Sequence, residues 1–217
     1  SDCSLYNVSG LKTIGNYKYY MKNGCCLTSW QRIGSYCYYF NAKGRMVTNK
    51  TVDGLKLGSN GVASGSTKKL APLHAKLIAE SITTDSMTKA QKIRTCFDWI
   101  IKNCASNGNP RIPHMTNTDW IHVYAYDVFG PRGGGNCFSY AASFAYLVRA
   151  CGYKVYACNS SGHGWAEIDG KVYDPEQYKD CGRNIYNMSY SNPMIGNYKR
   201  AISGGYPWMH MLIPEIK

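Results

Sequence analysis

The stretch Gly133-Gly134-Gly135-Asn136-Cys137-Phe138-Ser139-Tyr140-Ala141-Ala142 decides the reading of this chain. A glycine run permits a tight turn and a close backbone approach. The cysteine after it opens an amphipathic segment, residues 138–151, that reads as a helix. A thiol in the first helical turn sits at the positive end of the helix dipole beside free N–H groups. Both stabilise a thiolate and lower its pKa. The Cys137 N–H also points to where an oxyanion would form. Ala141, Phe144, Ala145 and Val148 continue a buried face, and Gly152 suits a left-handed C-terminal cap. This helix is therefore expected at the centre of the fold.

Downstream, Ile168-Asp169-Gly170-Lys171 is a strong hairpin signal with Asp-Gly at its tip. That register pairs Trp165 with Asp174 and His163 with Glu176. Paired residues, and residues two apart, share a sheet face. His163 and Asp174 become diagonal neighbours, roughly 7–8 Å apart at the backbone. A histidine with a carboxylate on its far nitrogen is an oriented general base. The candidate catalytic set is Cys137 as nucleophile, His163 as base and Asp174 as orienter. Glu176 and Glu167 are the alternative carboxylates, and Pro175 can end the pairing before Glu176. Taken one at a time, a cysteine is usually packing and a histidine usually structural; the ordered combination favours an enzyme.

Upstream, residues 70–83 show helical spacing. Thr88 is placed to cap a helix over Lys89–Asn103 with Ile93, Phe97 and Ile100 on one face. Cys96 and Cys104 on this helix read as apolar packing. Residues 107–113 form a Gly/Pro-broken loop and residues 118–128 a short helix. Strands are expected at 153–158, 164–168, 171–174 and 208–213. Helices followed by consecutive strands give an α+β fold, an antiparallel sheet against the nucleophile helix.

The first part of the chain is different. Gly15-Asn16-Tyr17-Lys18-Tyr19-Tyr20 is echoed by Gly34-Ser35-Tyr36-Cys37-Tyr38-Tyr39, and a worn third copy begins at Asp53-Gly54-Leu55. Paired aromatics between turn glycines read as short hairpins that stack side by side. Ser64-Gly65-Ser66-Thr67 reads as a linker. The expected division is residues 1–67 as a hairpin-repeat module and residues 68–217 as the catalytic domain.

Composition narrows the partners. Lys plus Arg number 25 against 13 acidic residues, a formal charge of +12, which favours anionic partners or simply solubility. No zinc finger or RNA-binding signature accompanies it, so nucleic acid is not expected. No apolar run is long enough to span a bilayer. Residues 1–3 lack the zones of a signal peptide, so the chain reads as mature or trimmed. With 44% apolar residues a globular fold is expected. There are ten cysteines; if one is a nucleophile the remaining nine cannot all pair, and a secreted setting is allowed but not forced. No Cys-x-x-Cys pair occurs, so no metal site is expected.

Two resemblances follow from these residues. Trp30-Gln31-Arg32-Ile33-Gly34 leading into Tyr38-Tyr39-Phe40 resembles the cell-wall-binding, choline-binding-like repeats of Gram-positive surface proteins, over about residues 10–65. The resemblance implies a bacterial cell-wall polymer as partner. It also implies caging of a quaternary ammonium by Tyr20, Trp30 and Tyr39 through cation–π attraction. The simpler reading is that these aromatics only bury the hairpin core.

Gly135–Ala142, His163-Gly164-Trp165-Ala166-Glu167 and Asp169–Pro175, in that order, resemble the transglutaminase-like superfamily over about residues 70–180. This implies a papain-related Cys-His-Asp core that attacks a carboxamide, forms a thioester and passes the acyl group to water or an amine. No cofactor is implied. Gly164 departs from the common alanine, and calcium-binding insertions have no room. A family side chain ahead of the nucleophile completes the oxyanion hole; Trp120, Tyr124 and Tyr126 are the candidates, and Trp165 joins them as a substrate-site residue. The reading is a secreted or surface cysteine enzyme of a Gram-positive bacterium acting on a peptide or protein. Hydrolysis is favoured, because the short core offers no cover to exclude water. A protein-glutamine transamidase and a non-catalytic wall-binding adhesin are the alternatives.

Overall fold

The computed structural model describes residues 8–107, 117–160 and 162–216. The chain divides into two compact units, Ser1–Leu70 and Ala71–Lys217. In the first, β1 (Gly10–Ile14) and β2 (Tyr17–Lys22) form a hairpin, and β3 (Cys25–Cys26) adds to β2. Next come the hairpin of β4 (Ser29–Ile33) with β5 (Tyr36–Phe40), then β6 (Lys50–Val52), β7 (Leu55–Leu57) and β8 (Ala63–Ser64). Asn23-Gly24 and Asp53-Gly54 hold positive φ at both residues, the type I′ pattern that matches strand twist. The worn third copy is thus also a hairpin. Met21, Cys37, Phe40, Leu55 and Leu57 are buried. The Met46 N–H donates to the Lys18 carbonyl, tying successive copies together.

The second unit is α+β. Helix α1 (Thr67–Ile82) leads to α2 (Lys89–Asn103), capped by Thr88. The Thr88 hydroxyl accepts from the Gln91 N–H while the Gln91 side chain accepts from the Thr88 N–H, so two orphan donors are satisfied. Strand β9 (Ala105–Ser106) runs parallel to β10 (Gly134–Gly135). Between them lies α3 (Trp120–Phe129), and after them α4 (Cys137–Ala150). Then come β11 (Tyr156–Asn159), β12 (Gly164–Ile168), β13 (Lys171–Tyr173), α5 (Pro175–Asp180), β14 (Met188–Ser189), α6 (Gly196–Ile202) and β15 (His210–Leu212). The five-stranded antiparallel sheet has the order β14-β13-β12-β11-β15.

Helix α4 is buried from Cys137 to Val148, as its apolar run requires. Ala157, Ala166 and Ile168 join it in the main core. Cys158, Trp165 and Val172, one residue out of phase on the same strands, pack instead with Ile185 and Ile195. The period-2 alternation therefore covers both sheet faces.

Some boundaries differ from the sequence expectation. The strand expected at 153–158 begins only at Tyr156, and the last strand covers His210–Leu212. Strand β13 ends at Tyr173, because Pro175 has no N–H to continue a ladder and is instead the first residue of α5. Of the expected loop at 107–113, residues 108–113 lie outside the described residues. Among the described residues no helix is long and apolar enough to cross a membrane.

Candidate active site

Cys137 is the first residue of α4 and 9% exposed. Asn136 caps the helix, its side-chain oxygen accepting from the Phe138 N–H at 3.2 Å. Each glycine before it has its own reason. Gly133 takes φ +67°. A Cβ on Gly134 would lie 2.0 Å from the Ala105 carbonyl oxygen, and one on Gly135 2.0 Å from the Ser139 Oγ. The run lets the backbone pair with β9 and fold tightly into the helix.

Gly164 brings His163 to the Cys137 thiol. At the start of β12 its Cα lies against the first turn of α4, where a Cβ would meet Phe138 Cα at 3.0 Å and the Cys137 carbonyl oxygen at 3.2 Å. His163, the preceding residue, is thereby held beside Cys137. Its Nε2 is 2.5 Å from Asp174 Oδ2. The thiol sulfur, a His163 ring nitrogen and a Glu176 carboxylate oxygen all lie within 4.8 Å of one another.

Asp174 is fully buried. The observed register, Ala166↔Tyr173, has the phase expected from the Asp-Gly turn, but the ladder stops before Asp174. Asp174 is the N-cap of α5. Its Oδ1 accepts from the Gln177 N–H at 3.0 Å, and its Oδ2 accepts from the Tyr198 hydroxyl at 2.9 Å. A cap, a tyrosine and a histidine fix the carboxylate from three sides.

Glu176 is not paired with His163 across the sheet; it has left the sheet for the first turn of α5. Its Oε2 lies 3.7 Å from His163 Nδ1, and a carboxylate oxygen lies within 4.8 Å of the Cys137 sulfur. Glu167 makes its contacts with other residues than His163. It accepts from the Tyr190 hydroxyl at 2.7 Å and pairs with His210 Nε2 at 3.3 Å.

These contacts set the protonation states. Burial opposes a charged His163, but hydrogen bonds and charge at Asp174 and Cys137 outweigh it and raise the imidazole to about 10. Burial pushes the Glu176 carboxyl up, opposed by the His163 charge. Burial would also raise Glu167, but its hydrogen bonds to His210 and Tyr190 hold it below its ordinary value. Burial beside Asp174 pushes the Tyr198 hydroxyl well up, so it remains a donor.

The expected substrate-site aromatics are spread out. Trp120 and Tyr124 are fully buried and pack on Phe138, with ring centroids 6.0 and 5.6 Å away. The Trp120 N–H donates to the Trp208 carbonyl at 2.9 Å. Tyr126 packs its ring against His74. Trp165 is buried, near His163 on one side and stacked on Tyr198 at 4.6 Å, its N–H donating to Tyr190. Trp120, Tyr124 and Trp165 thus present no exposed surface; they support the residues that do. Tyr198 and Tyr190 escaped sequence reasoning, because residues 183–207 carry no periodic signal.

In the hairpin unit Trp30 and Tyr39 are cross-strand partners in edge-to-face contact at 5.3 Å, and the Trp30 N–H donates to Asp53. Tyr20 stacks on Phe40, which is next to Tyr39 and so points to the opposite face. Trp30 and Tyr39 are brought together and Tyr20 stands apart. Among the described residues, two side-chain groups could hold a cation, Cys137-His163-Glu176 and Cys158-Glu167-His210. An ion in the first would occupy the thiol and the base.

Residues 76–177 match the family model of the transglutaminase-like superfamily, and residues 27–57 match that of the choline-binding repeat. Three solved structures are similar to about a quarter of the chain. CbpF in complex with ipratropium is 32% identical over 27% of this chain and 19% of its own, with TM-score 0.26. CbpJ from Streptococcus pneumoniae is 30% identical over 26% and 20%, TM-score 0.25. The choline binding domain of Spr1274 in Streptococcus pneumoniae is 25% identical over 27% of this chain and 97% of that one, TM-score 0.25. The chain spans about a fifth of the length of CbpF and CbpJ. No curated protein matches it. The two family matches support a cell-wall-targeted protein with a papain-like core.

Proposed function

We propose that the chain is a cysteine enzyme of the bacterial surface that attacks carboxamide or peptide bonds through a thioester and passes the acyl group mainly to water. The observation that carries the reading is the thiol at a helix start beside an imidazole whose far nitrogen is 2.5 Å from a buried carboxylate. In this reading residues 68–217 are the catalytic domain and residues 1–67 the wall-binding module. The Cys137 thiolate attacks the carboxamide carbon. The Cys137 N–H meets the oxyanion. His163 Nδ1 gives its proton to the departing nitrogen and then takes one from the incoming water. Asp174 keeps the Nε2 proton in place and balances the imidazolium.

Glu176 stands beside the Cys137 thiol and His163 Nδ1, so an incoming carboxamide meets its carboxylate on entry. Phe138, Trp120 and Tyr124 form the apolar wall behind the nucleophile. Trp30 and Tyr39 are the paired aromatics that would meet a quaternary ammonium of a wall polymer.

The test is a product assay with a glutamine-containing peptide and excess lysine analogue, analysed by mass spectrometry. Free acid as the main product, lost in Cys137→Ala, supports hydrolysis. A dominant amine adduct assigns transamidation instead. No product from any carboxamide, with Cys137 no more reactive than the other thiols, returns the chain to a binding role.

A further inference from the structure

We propose that Cys96 and Cys151 are a redox-active dithiol that closes to a disulfide, joining the middle of α2 to the C-terminal end of α4. Their sulfurs lie 3.7 Å apart. Cys96 is fully buried on α2, whereas Cys151, the C-cap of α4, is half-buried. A disulfide needs about 2.05 Å. The remaining gap is closed at a helix terminus, followed by Gly152 at φ +90°, where the chain yields more readily than in a helix interior.

The two thiols are unequal, as dithiol exchange requires. Cys151 lines a cavity of ≈ 520 Å³ together with Lys92, Thr83, Glu80 and Asp85. That volume falls within the range of small-molecule sites. Hydrogen bonding with Cys96, helped by Thr83 and Lys92, holds the Cys151 thiol below its ordinary value against the opposing effect of burial. Cys96 is raised by its hydrogen bond to Cys151 and by burial. Cys151 is thus the attacking thiolate and Cys96 the resolving thiol.

The oxidant is a low-molecular-weight disulfide. The Cys151 thiolate attacks one of its sulfurs, forming a mixed disulfide and expelling a small thiolate. Cys96 then attacks the Cys151 sulfur, expels the second small thiolate and gives its proton to it. Two protein thiols and one small disulfide become one protein disulfide and two small thiols. An oxidising surrounding rests on the wall-targeted reading; the geometry of the pair does not. The cross-link would close the loop 96–151, which contains Cys137, and fasten the nucleophile helix to its neighbour.

The full reduced chain, and separately its Cys137→Ala variant, is treated with oxidised glutathione, quenched with N-ethylmaleimide in denaturant and cut with trypsin. Cleavage after Arg94, Lys102, Arg149 and Lys154 releases peptides 95–102 and 150–154 with one cysteine each. The expected product is these two peptides joined. The thermal midpoint of the oxidised protein should fall by roughly 5–10 °C on reduction, and this change should vanish in Cys151→Ala. Recovery of both peptides separately alkylated overturns the proposal. A lasting glutathione adduct on Cys151 with Cys96 alkylated also overturns it. The mapping involves no turnover, so an inactive Cys137 would leave it unaffected.

Discussion

Gly164→Ala isolates the contact that brings His163 and Cys137 together. Gly164 lies outside the left-handed region, so alanine brings no backbone strain, only a new methyl group. That methyl would stand 2.8 Å from Phe138 Cδ1, 3.0 Å from Phe138 Cα and 3.2 Å from the Cys137 carbonyl oxygen. The ring can turn aside, but the other two atoms are backbone of the first turn of α4. Ordinary contact begins near 3.4 Å, so β12 must retreat by about 0.4 Å. His163, its neighbour, moves away from the sulfur by a similar amount. Misplacement by about 1 Å can cost about 10²-fold in rate, so a shift near half that predicts about tenfold, or about 1.4 kcal/mol. Overpacking should also cost about 1–3 kcal/mol of stability.

The assay is alkylation of Cys137 by iodoacetamide at mildly acidic pH, followed by peptide mapping, with urea unfolding in parallel. Cys137 should react about tenfold more slowly, while other thiols keep their rates. A normal Cys137 rate in a destabilised protein would refute the idea that this contact positions His163. A normal rate at normal stability would mean the contact itself is relieved at no cost.

Other outcomes follow from the same site. His163 is raised to about 10, so its contribution to stability is fully present below its unfolded value near 6.5 and lost as pH rises through about 10. Wild type should therefore lose more stability than His163→Ala between pH 7 and 10, as read by urea midpoints. Tyr198→Phe removes a hydrogen bond to a buried carboxylate and should cost about 1.5–3 kcal/mol, leaving Cys137 alkylation slower but present. Glu176→Gln removes a negative charge from beside the Cys137 thiol. It should speed turnover and Cys137 alkylation on the order of tenfold, whereas a loss on the scale of Asp174→Asn would make Glu176 the orienter. Deletion of residues 1–67 should preserve cleavage of a small peptide and weaken pull-down by insoluble walls. The part that survives high salt should fall with Trp30→Ala.

The sequence revealed most where a local rule acts on a few adjacent residues. The Asp-Gly turn fixed the register of β12 and β13, because a type I′ turn admits little else. Thr88 marked the start of α2, because an orphan N–H needs an acceptor. It revealed least where a residue belongs to two patterns at once. Asp174 continues the strand alternation and also precedes Pro175. Alternation alone places it on the ladder; proline chemistry makes it a helix cap, and the cap still directs a carboxylate oxygen at His163.

Glu176 shows what that choice changes. On a continued strand it would have faced His163 as a rival orienter. The first turn of α5 carries it instead to the other ring nitrogen, Nδ1, beside the Cys137 thiol. Tyr198 was illegible for another reason. It reaches Asp174 from 24 residues away, through a segment with neither period 2 nor period 3.6. Long-range partners in such segments are set by the packing of Tyr198 on Trp165, which no local rule encodes. The aromatic positions near the nucleophile were legible as large and apolar, but not as buried or exposed. Trp120 and Tyr124 became core because α3 packs on α4 with both rings against Phe138, so the polar half of the site is built almost entirely from residues 163–176 and Tyr198.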